Sequence, residues 1–398
     1  MKSRIFVVNE ETLEEAKRTG VAKIKIPFDE EKDKKTGHVY KVPHKYFVNS
    51  VNSMMADMLQ IQKGDYVFFW CEKKKPYSKS TISGVYRVIS EPYFKFDDND
   101  DDAPFKVMIE EAYHFERPIS EYDVLNSPSV KTPLWNMVGK KTSGKSRGSI
   151  QITPAEASVL LSMLIDKNPN YNFYKEDEAH FINLPTDLPS GEHIPAQLSI
   201  DLTRHGKKQD NPETDRLFDY DIYSFVHLDG KNKLYCEKTL EGLFNQEIKN
   251  KNSIFFERLP FDVNKIIWFG NYLPYSLDRT EMDYLIICSD DGINPSHAYV
   301  IEFKRGDINK IDEDTHFYRA MLYSKWVNEN LFNGSSITTP IVICEKCPNF
   351  NQPANDKEET VVEFYENLEN DFEEYNVLPV KIYTVDFSHP LPTFEPKK

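Results

Sequence analysis

Two short apolar runs carry the chain's best candidates for chemistry. Glu281-Met282-Asp283-Tyr284-Leu285-Ile286-Ile287-Cys288 is followed, after the polar stretch Ser289 to Ser296, by Ala298-Tyr299-Val300-Ile301-Glu302-Phe303-Lys304. Both runs have the length and apolar density of strands, and the polar stretch reads as the turn of a hairpin. Side chains alternate along a strand, so Glu302 and Lys304 share a face while Phe303 points to the other. Pairing the two runs can bring Asp283 close to Glu302, placing two carboxylates and an ammonium at one end of an otherwise apolar sheet. Hard divalent cations such as Mg²⁺ take one or two carboxylates together with water and phosphate oxygens. A lysine beside them can orient or deprotonate an attacking water and stabilise charge at phosphorus. Glu281, two residues before Asp283, falls on the same strand face and is either an assistant to a second metal or an exposed neighbour.

These residues resemble the PD-(D/E)xK nuclease superfamily, with Asp283 as the Asp and Glu302-Phe303-Lys304 as the (D/E)xK. The resemblance begins near Tyr235 and extends over the remaining C-terminal residues. It implies a mixed sheet flanked by helices, catalysis by Asp283, Glu302 and Lys304, and a metal (Mg²⁺, with Mn²⁺ as a substitute) held by Asp283, Glu302 and the carbonyl of Phe303. It also implies an upstream acid in Glu237-Lys238-Thr239-Leu240-Glu241: Glu241 is favoured, and Glu237 stays open. His316 to Tyr323 looks like the helix that members pack beside the active site. Tyr318 and Arg319 stand where a glutamine often precedes the tyrosine.

The elements that must hold these residues follow from periodicity. From Tyr235 the expected order is helix, strand (Ile254–Glu257), strand (Ile266–Gly270), the two strands above, helix (Asp312–Leu331), strand (Pro340–Cys344), helix and strand (Val380–Val385). Asp356 to Tyr375 reads as an acidic helix with Val361, Val362, Phe364, Tyr365, Leu368 and Phe372 on one face. Residues 166–225 are rich in Asn, Pro, Asp and charge and read as a linker and entry segment. Its basic cluster, Arg204-His205-Gly206-Lys207-Lys208, reads as a solvated loop.

The first 165 residues alternate strands and helices: Arg4–Asn9, helix Glu11–Thr19, helix Ser53–Leu59, strands Gly64–Trp70, Thr81–Ser90 and Phe105–Ile109. A capping box at Thr153-Pro154-Ala155-Glu156 opens a last helix through Leu164. Met58 to Trp70, Ile82 to Pro92, Leu134-Trp135-Asn136 and Arg147-Gly148-Ser149 together resemble the EVE/YTH-like group of PUA-type domains. That resemblance implies a small β-barrel with helices that accepts a modified base, swung out of its strand, in an aromatic pocket. An extruded base stacks on aromatic faces and is read at its hydrogen-bonding edge. Trp70 and Trp135 are the expected walls, and Asn49, Ser50, Asn52 and Ser53 the expected polar contacts. Trp70 also suits a plain core position.

Gly139 to Ser146 satisfies the letter of the phosphate-loop pattern GxxxxGK[ST], but Gly148 and Pro154 prevent the helix that such a loop needs. Lys140, Lys141, Lys145 and Arg147 read better as a basic loop on a sugar-phosphate backbone. Residues 1–165 hold 25 Lys+Arg against 23 Asp+Glu, which leaves 24 against 41 for the rest of a chain with net charge −15. Global charge does not decide DNA binding, because local basic surface and metal ions do. No apolar run is long enough for a membrane span, and the N-terminus turns acidic too early for a signal peptide. The five cysteines fit reduced, cytoplasmic thiols, and the lone Cys344-x-x-Cys347 lacks a second pair for zinc.

The expected fold is therefore α/β (α+β) in two domains: 1–165, a PUA-like base reader, and 226–398, a metal-dependent nuclease. The expected activity is modification-dependent restriction of foreign DNA, with double-stranded DNA as partner and a homodimer as the simple way to cut both strands. Two alternatives stand beside it: a repair or structure-specific nuclease with a generic grip, and a non-catalytic RNA-binding regulator.

Overall fold

The computed structural model describes residues 2–24, 28–32, 39–43, 54, 56–72, 80–94, 103, 105–125, 149–169, 237–274, 281–307, 316–332, 334–347, 369–388 and 392–397. They fall into two compact units, the first ending within 170–236 and the second holding everything from residue 237 on. Among the described residues, no helix is long and apolar enough to cross a membrane.

The first unit opens with β1 (Ser3–Val8), α1 (Glu10–Thr19), β2 (Val21–Ile24), and the hairpin of β3 (Phe28–Lys32) and β4 (Val39–Pro43). It continues with β5 (Tyr66–Cys71), β6 (Thr81–Val88), β7 (Tyr93–Phe94), β8 (Phe105–Tyr113), β9 (Ile119–Ser120) and α2 (Glu121–Leu125). It closes with β10 (Ser149–Ile152) and α3 (Pro154–Lys167). The main sheet runs β10-β1-β5-β6-β8-β2, with β7 added to β8 and β9 to β6. The sheet is a curled half-barrel, consistent with the small PUA-like β-barrel that the resemblance implied, and among the described residues β10 and β2 are its end strands.

Local signals explain these boundaries. Asn9 caps α1 by accepting from the Thr12 N–H at 2.7 Å, and Gly20 ends it in the left-handed region at φ 67°. At the start of α3, Thr153 Oγ1 accepts from the Glu156 N–H at 3.2 Å while Glu156 Oε2 accepts from the Thr153 N–H at 2.6 Å, the reciprocal pair expected from the sequence. Gly84 has φ 66°, and a Cβ there would run into the Tyr86 ring, so this irregular stretch of β6 requires glycine.

The pivot of this unit is β1. It pairs in parallel with β5 and antiparallel with β10, so it lies inside the sheet. Arg4 is fully buried there. Its guanidinium donates to the Asp57 carbonyl at 3.1 Å, to Gln60 Oε1 at 3.4 Å and to Ser149 Oγ, linking β1 to the helical turn at 56–59 and to β10. Burial lowers its pKa to about 10, against the pull of Asp65 and Asp57, so it stays cationic at neutral pH.

In the second unit, α4 (Glu237–Lys249) precedes β11 (Ile266–Pro274), β12 (Glu281–Cys288), β13 (His297–Asp307), α5 (His316–Leu331), β14 (Ile337–Lys346), β15 (Lys381–Asp386) and β16 (Thr393–Pro396). The sheet follows chain order, β11-β12-β13-β14-β15-β16. It is antiparallel from β11 to β13, parallel from β13 to β15, and antiparallel again at β16. The parallel step from β13 to β14 requires a crossover, and α5 lies within it. On one face Phe244 of α4 meets Tyr284, Phe303 and Phe394 edge-on at 5.0 to 5.8 Å. On the other, Tyr323 and Val327 of α5 pack with Leu285, Ile287, Ala298 and Val300.

Two expectations need correction, and one strand was not expected. Residues 254–257 form turns, not a strand: Phe255 and Phe256 fold onto Phe244 as an aromatic plug while Ile254 faces solvent. The strand at Pro340–Cys344 is longer, Ile337–Lys346, because β13 and β15 pair on both of its sides. A final strand, β16, had no periodic signal in its four residues. Of the acidic run, 356–368 lies outside the described residues; Phe372 is buried, but at a turn leading into the short 3-10 helix Glu373–Tyr375 and not within an α-helix.

The central position of β1 yields a prediction. A variant lacking residues 1–30 loses the strand between β5 and β10 together with Arg4, and is expected to lose cooperative thermal unfolding of this unit. Circular dichroism melting of the truncated and full-length chains would check it; an unchanged transition would rule the dependence out.

Candidate functional site

The register of β12 against β13 builds the site. The paired residues run from Cys288↔His297 to Tyr284↔Ile301, and one further step sets Asp283 opposite Glu302. Glu302 and Lys304 lie beside Val342 and Cys344 of β14. The alternation that sends Tyr299, Ile301 and Phe303 toward α4 sends Ala298, Val300, Glu302 and Lys304 toward α5. The apolar residues of that face give way to charge just where α5 begins.

Lys304 Nζ stands 3.1 Å from Glu302 Oε1 and 3.5 Å from Asp283 Oδ2. The Phe303 N–H donates to Asp283 Oδ2 at 3.0 Å, which fixes that carboxylate. Side-chain exposure is 15% for Asp283, 15% for Lys304 and 5% for Glu302, so the group is nearly sealed. His316, the first residue of α5, places Nδ1 3.7 Å from Glu302 Oε1.

Burial, and then the neighbouring Asp283, push Glu302 up to about 8, against the opposing pull of Lys304. For Lys304, burial favours the neutral amine, but Asp283, Glu302 and Glu237 outweigh it and hold the pKa above the usual lysine value. Lys304 is thus an ammonium at neutral pH and acts as a donor. Burial, then Lys304 and Arg319, lower His316 to about 4, so its imidazole is neutral.

Glu302 Oε2 is buried with no hydrogen-bond partner, a costly state for a carboxylate oxygen. That orphaned acceptor beside Asp283 fits a hard cation. Among the described residues, no group of three or more His, Cys, Asp or Glu is arranged to hold a metal ion. Two carboxylates suit Mg²⁺, which keeps water and substrate oxygens in its shell, better than an ion needing a full protein cage.

The structure thus brings Asp283, Glu302 and Lys304 together, with Phe303 between them as a bridging backbone group. Glu241 is fully buried and bonded to Lys238 Nζ at 2.8 Å and Asn271 Nδ2 at 3.1 Å. The α4 charge that reaches both Lys304 and His316 is that of Glu237, one turn earlier. Glu281 is half-buried on β12. His316 was missed, since no metal-ligand spacing marks it; its position before an apolar helical run was its only sequence signal.

In the first unit, Trp70 is 5% exposed on β5, beside Val7 and Ile82 of its neighbouring strands. Trp135, Asn49, Ser50, Asn52, Ser53, Lys140, Lys141, Lys145 and Arg147 lie outside the described residues.

Residues 31–163 match the family of the EVE domain. The N-terminal region carries an EVE domain. The match starts after β1, α1 and β2, yet β1 lies between two strands that fall within it. Solved structures similar to the chain include a hypothetical protein from Leishmania major, at 10% identity and TM-score 0.29, covering 42% of this chain and 96% of that one. Another is human THYN1 in complex with 5-methylcytosine containing DNA, at 13% identity and TM-score 0.25, covering 41% and 98%. A third is the YTH domain-containing protein mmi1 in an RNA complex, at 14% identity and TM-score 0.26, covering 43% and 88%. No curated protein matches the chain.

Because the folded Glu302 value lies above the ordinary 4.5, the folded state holds this proton more tightly than the unfolded chain does. The stability it contributes is full below the ordinary value and is lost as pH rises through about 8. In chelator, the melting temperature of the second unit is expected to fall as pH is raised across that window, and Glu302→Gln is expected to flatten the fall. Calorimetry at a series of pH values checks this; identical profiles would refute it.

Proposed function

We propose that this chain is a modification-dependent DNA endonuclease, in which the EVE domain receives a modified base and the second unit hydrolyses a phosphodiester. The observation that carries the reading is the convergence of Asp283, Glu302 and Lys304 on one end of β12 and β13, in a chain that also holds an EVE domain. Domain limits of 1–165 for the reader and 226–398 for the nuclease belong to the same reading.

Asp283 and Glu302, with the Phe303 carbonyl, would hold Mg²⁺ or Mn²⁺. When bound, the ion supplies charge neutralisation at the phosphate and acidifies a water. The Phe303 N–H holds Asp283 in one orientation, so the carboxylate needs little reorganisation during reaction. Lys304, between the two acids, directs its ammonium at negative charge developing on phosphorus and positions the attacking water. Glu237 adds negative potential from α4 that keeps Lys304 charged.

For the EVE domain, Trp135 is the proposed wall of the base pocket, with Asn49, Ser50, Asn52 and Ser53 as edge contacts and Lys140, Lys141, Lys145 and Arg147 as backbone contacts. Trp70 is a weaker candidate, because its burial in the sheet suits a core role. An extruded base lying on an aromatic face is worth about 1–3 kcal/mol per stack. Cutting both strands calls for two such sites, supplied most simply by a homodimer acting in the cytoplasm.

The direct test is digestion of genomic DNAs bearing different natural modifications, with Mg²⁺ or Mn²⁺. Asp283→Ala and Lys304→Ala are each expected to slow cleavage by at least about 100-fold, with DNA binding kept within a few-fold. Cleavage that survives in both variants would overturn the catalytic assignment. Trp135→Ala is expected to remove the preference for modified over plain DNA, read as the ratio of their cleavage rates. An unchanged ratio would remove Trp135 from the pocket. If no DNA is cut but RNA is bound, the non-catalytic reading takes its place.

A further inference from the structure

We propose that Cys344 and Cys347 are a redox-reactive dithiol that closes into a reversible disulfide beside Lys304. β14 ends at Lys346, and Cys347 Sγ, one residue on, lies 3.5 Å from Cys344 Sγ. Disulfide formation at about 2.05 Å requires the sulfurs to approach by roughly 1.5 Å. Both are reduced thiols here.

The two sulfurs differ in a way that divides their roles. Cys347 is half-buried and within reach of a small oxidant, whereas Cys344 is fully buried and directs its thiol to the Tyr383 carbonyl at 3.6 Å. The Cys344 contact, helped by Lys397 and opposed by burial, holds the Cys347 thiol below its ordinary pKa. Burial, with Asp262 and Asp290, pushes Cys288 the other way, up to about 12. Cys347 is therefore the attacking thiolate.

The reaction balances with a small-molecule disulfide as oxidant. The Cys347 thiolate attacks one sulfur of the oxidant, forming a mixed disulfide and releasing one small thiolate. Cys344 loses its proton and attacks the Cys347 sulfur, which releases the second small thiolate. Two protein thiols are oxidised to one disulfide, and the oxidant is reduced to two thiols. Zinc is the competing use for such a spacing, but among the described residues no third His, Cys, Asp or Glu joins the pair.

The position gives the pair its consequence. Cys344 is the parallel-register partner of Lys304, on the strand next to β13. Closing the disulfide pulls on the end of β14, one strand away from the buried acids. The sulfur chemistry stands apart from the hydrolytic reading, and its test reads sulfur only.

The full-length chain is equilibrated with glutathione and glutathione disulfide at increasing ratios, quenched by acid, unfolded in denaturant with N-ethylmaleimide so that every remaining thiol is blocked, digested and weighed by mass spectrometry. The expected result is an internally bridged peptide containing 344–347, lighter by two hydrogens, while Cys71 and Cys288 remain maleimide-labelled. Cys344→Ser is expected to stop at a Cys347–glutathione adduct, and Cys347→Ser to slow oxidation of Cys344 by at least about 10-fold. The proposal is overturned if both thiols stay labelled at the most oxidising ratio, or if the wild-type chain accumulates the glutathione adduct. Stoichiometric zinc that protects both thiols, or equal oxidation of Cys71 and Cys288, would overturn it too.

Discussion

A buried carboxylate beside a second one is tolerable only where a cation and backbone donors answer it, and the register of β12 on β13 supplies both. Shifting that pairing by one residue would send Glu302 and Lys304 to the opposite face, against the Phe244 aromatic cluster. The apolar residues on both faces of the two strands hold the register in place. The hydrophobic core and the charged group are thus one construction. Tyr284, Leu285, Val300 and Ile301 fix the alignment, and Asp283, Glu302 and Lys304 inherit it. Without an added cation, Glu302 is left with an unanswered oxygen and a strong preference for its proton.

Charge is distributed to match. The half of the chain with the acids carries a large negative excess, so a polyanion has little general attraction to it. Under the proposed reading, a divalent ion reverses the sign locally, where the substrate must touch. Grip then falls to the EVE domain and its basic loop. On the proposed reading, this division of labour is what joins the two functions in one chain.

How much was legible in the sequence depended on how local each signal was. The β12–β13 hairpin was readable because two apolar runs flank a polar turn, and Thr153-x-x-Glu156 was readable because a capping box is complete within four residues. The two Phe residues at 255–256 misled because buried aromatics look alike in a strand and in a plug. The parallel pairing of β13 with β14 joins segments separated by a helix, and periodicity does not encode that neighbour. Glu237 and Glu241 are four residues apart on α4 and equivalent by pattern. What separates them is Asn271, thirty residues away in sequence. His316 joined the group only because the α5 crossover begins behind Glu302.

The place of β1 has an outcome for how the molecule comes into being. Strand β1 finds its two neighbours only when residues 66–71 and then 149–152 have followed. Until then Arg4 has no Ser149 to bond, and the half-barrel lacks the last strand of its sheet. Such non-local pairing is slow, and domains tend to form in order from the N-terminus during synthesis. All the strands of the N-terminal unit, β10 included, are thus made before the strands bearing Asp283 and Glu302.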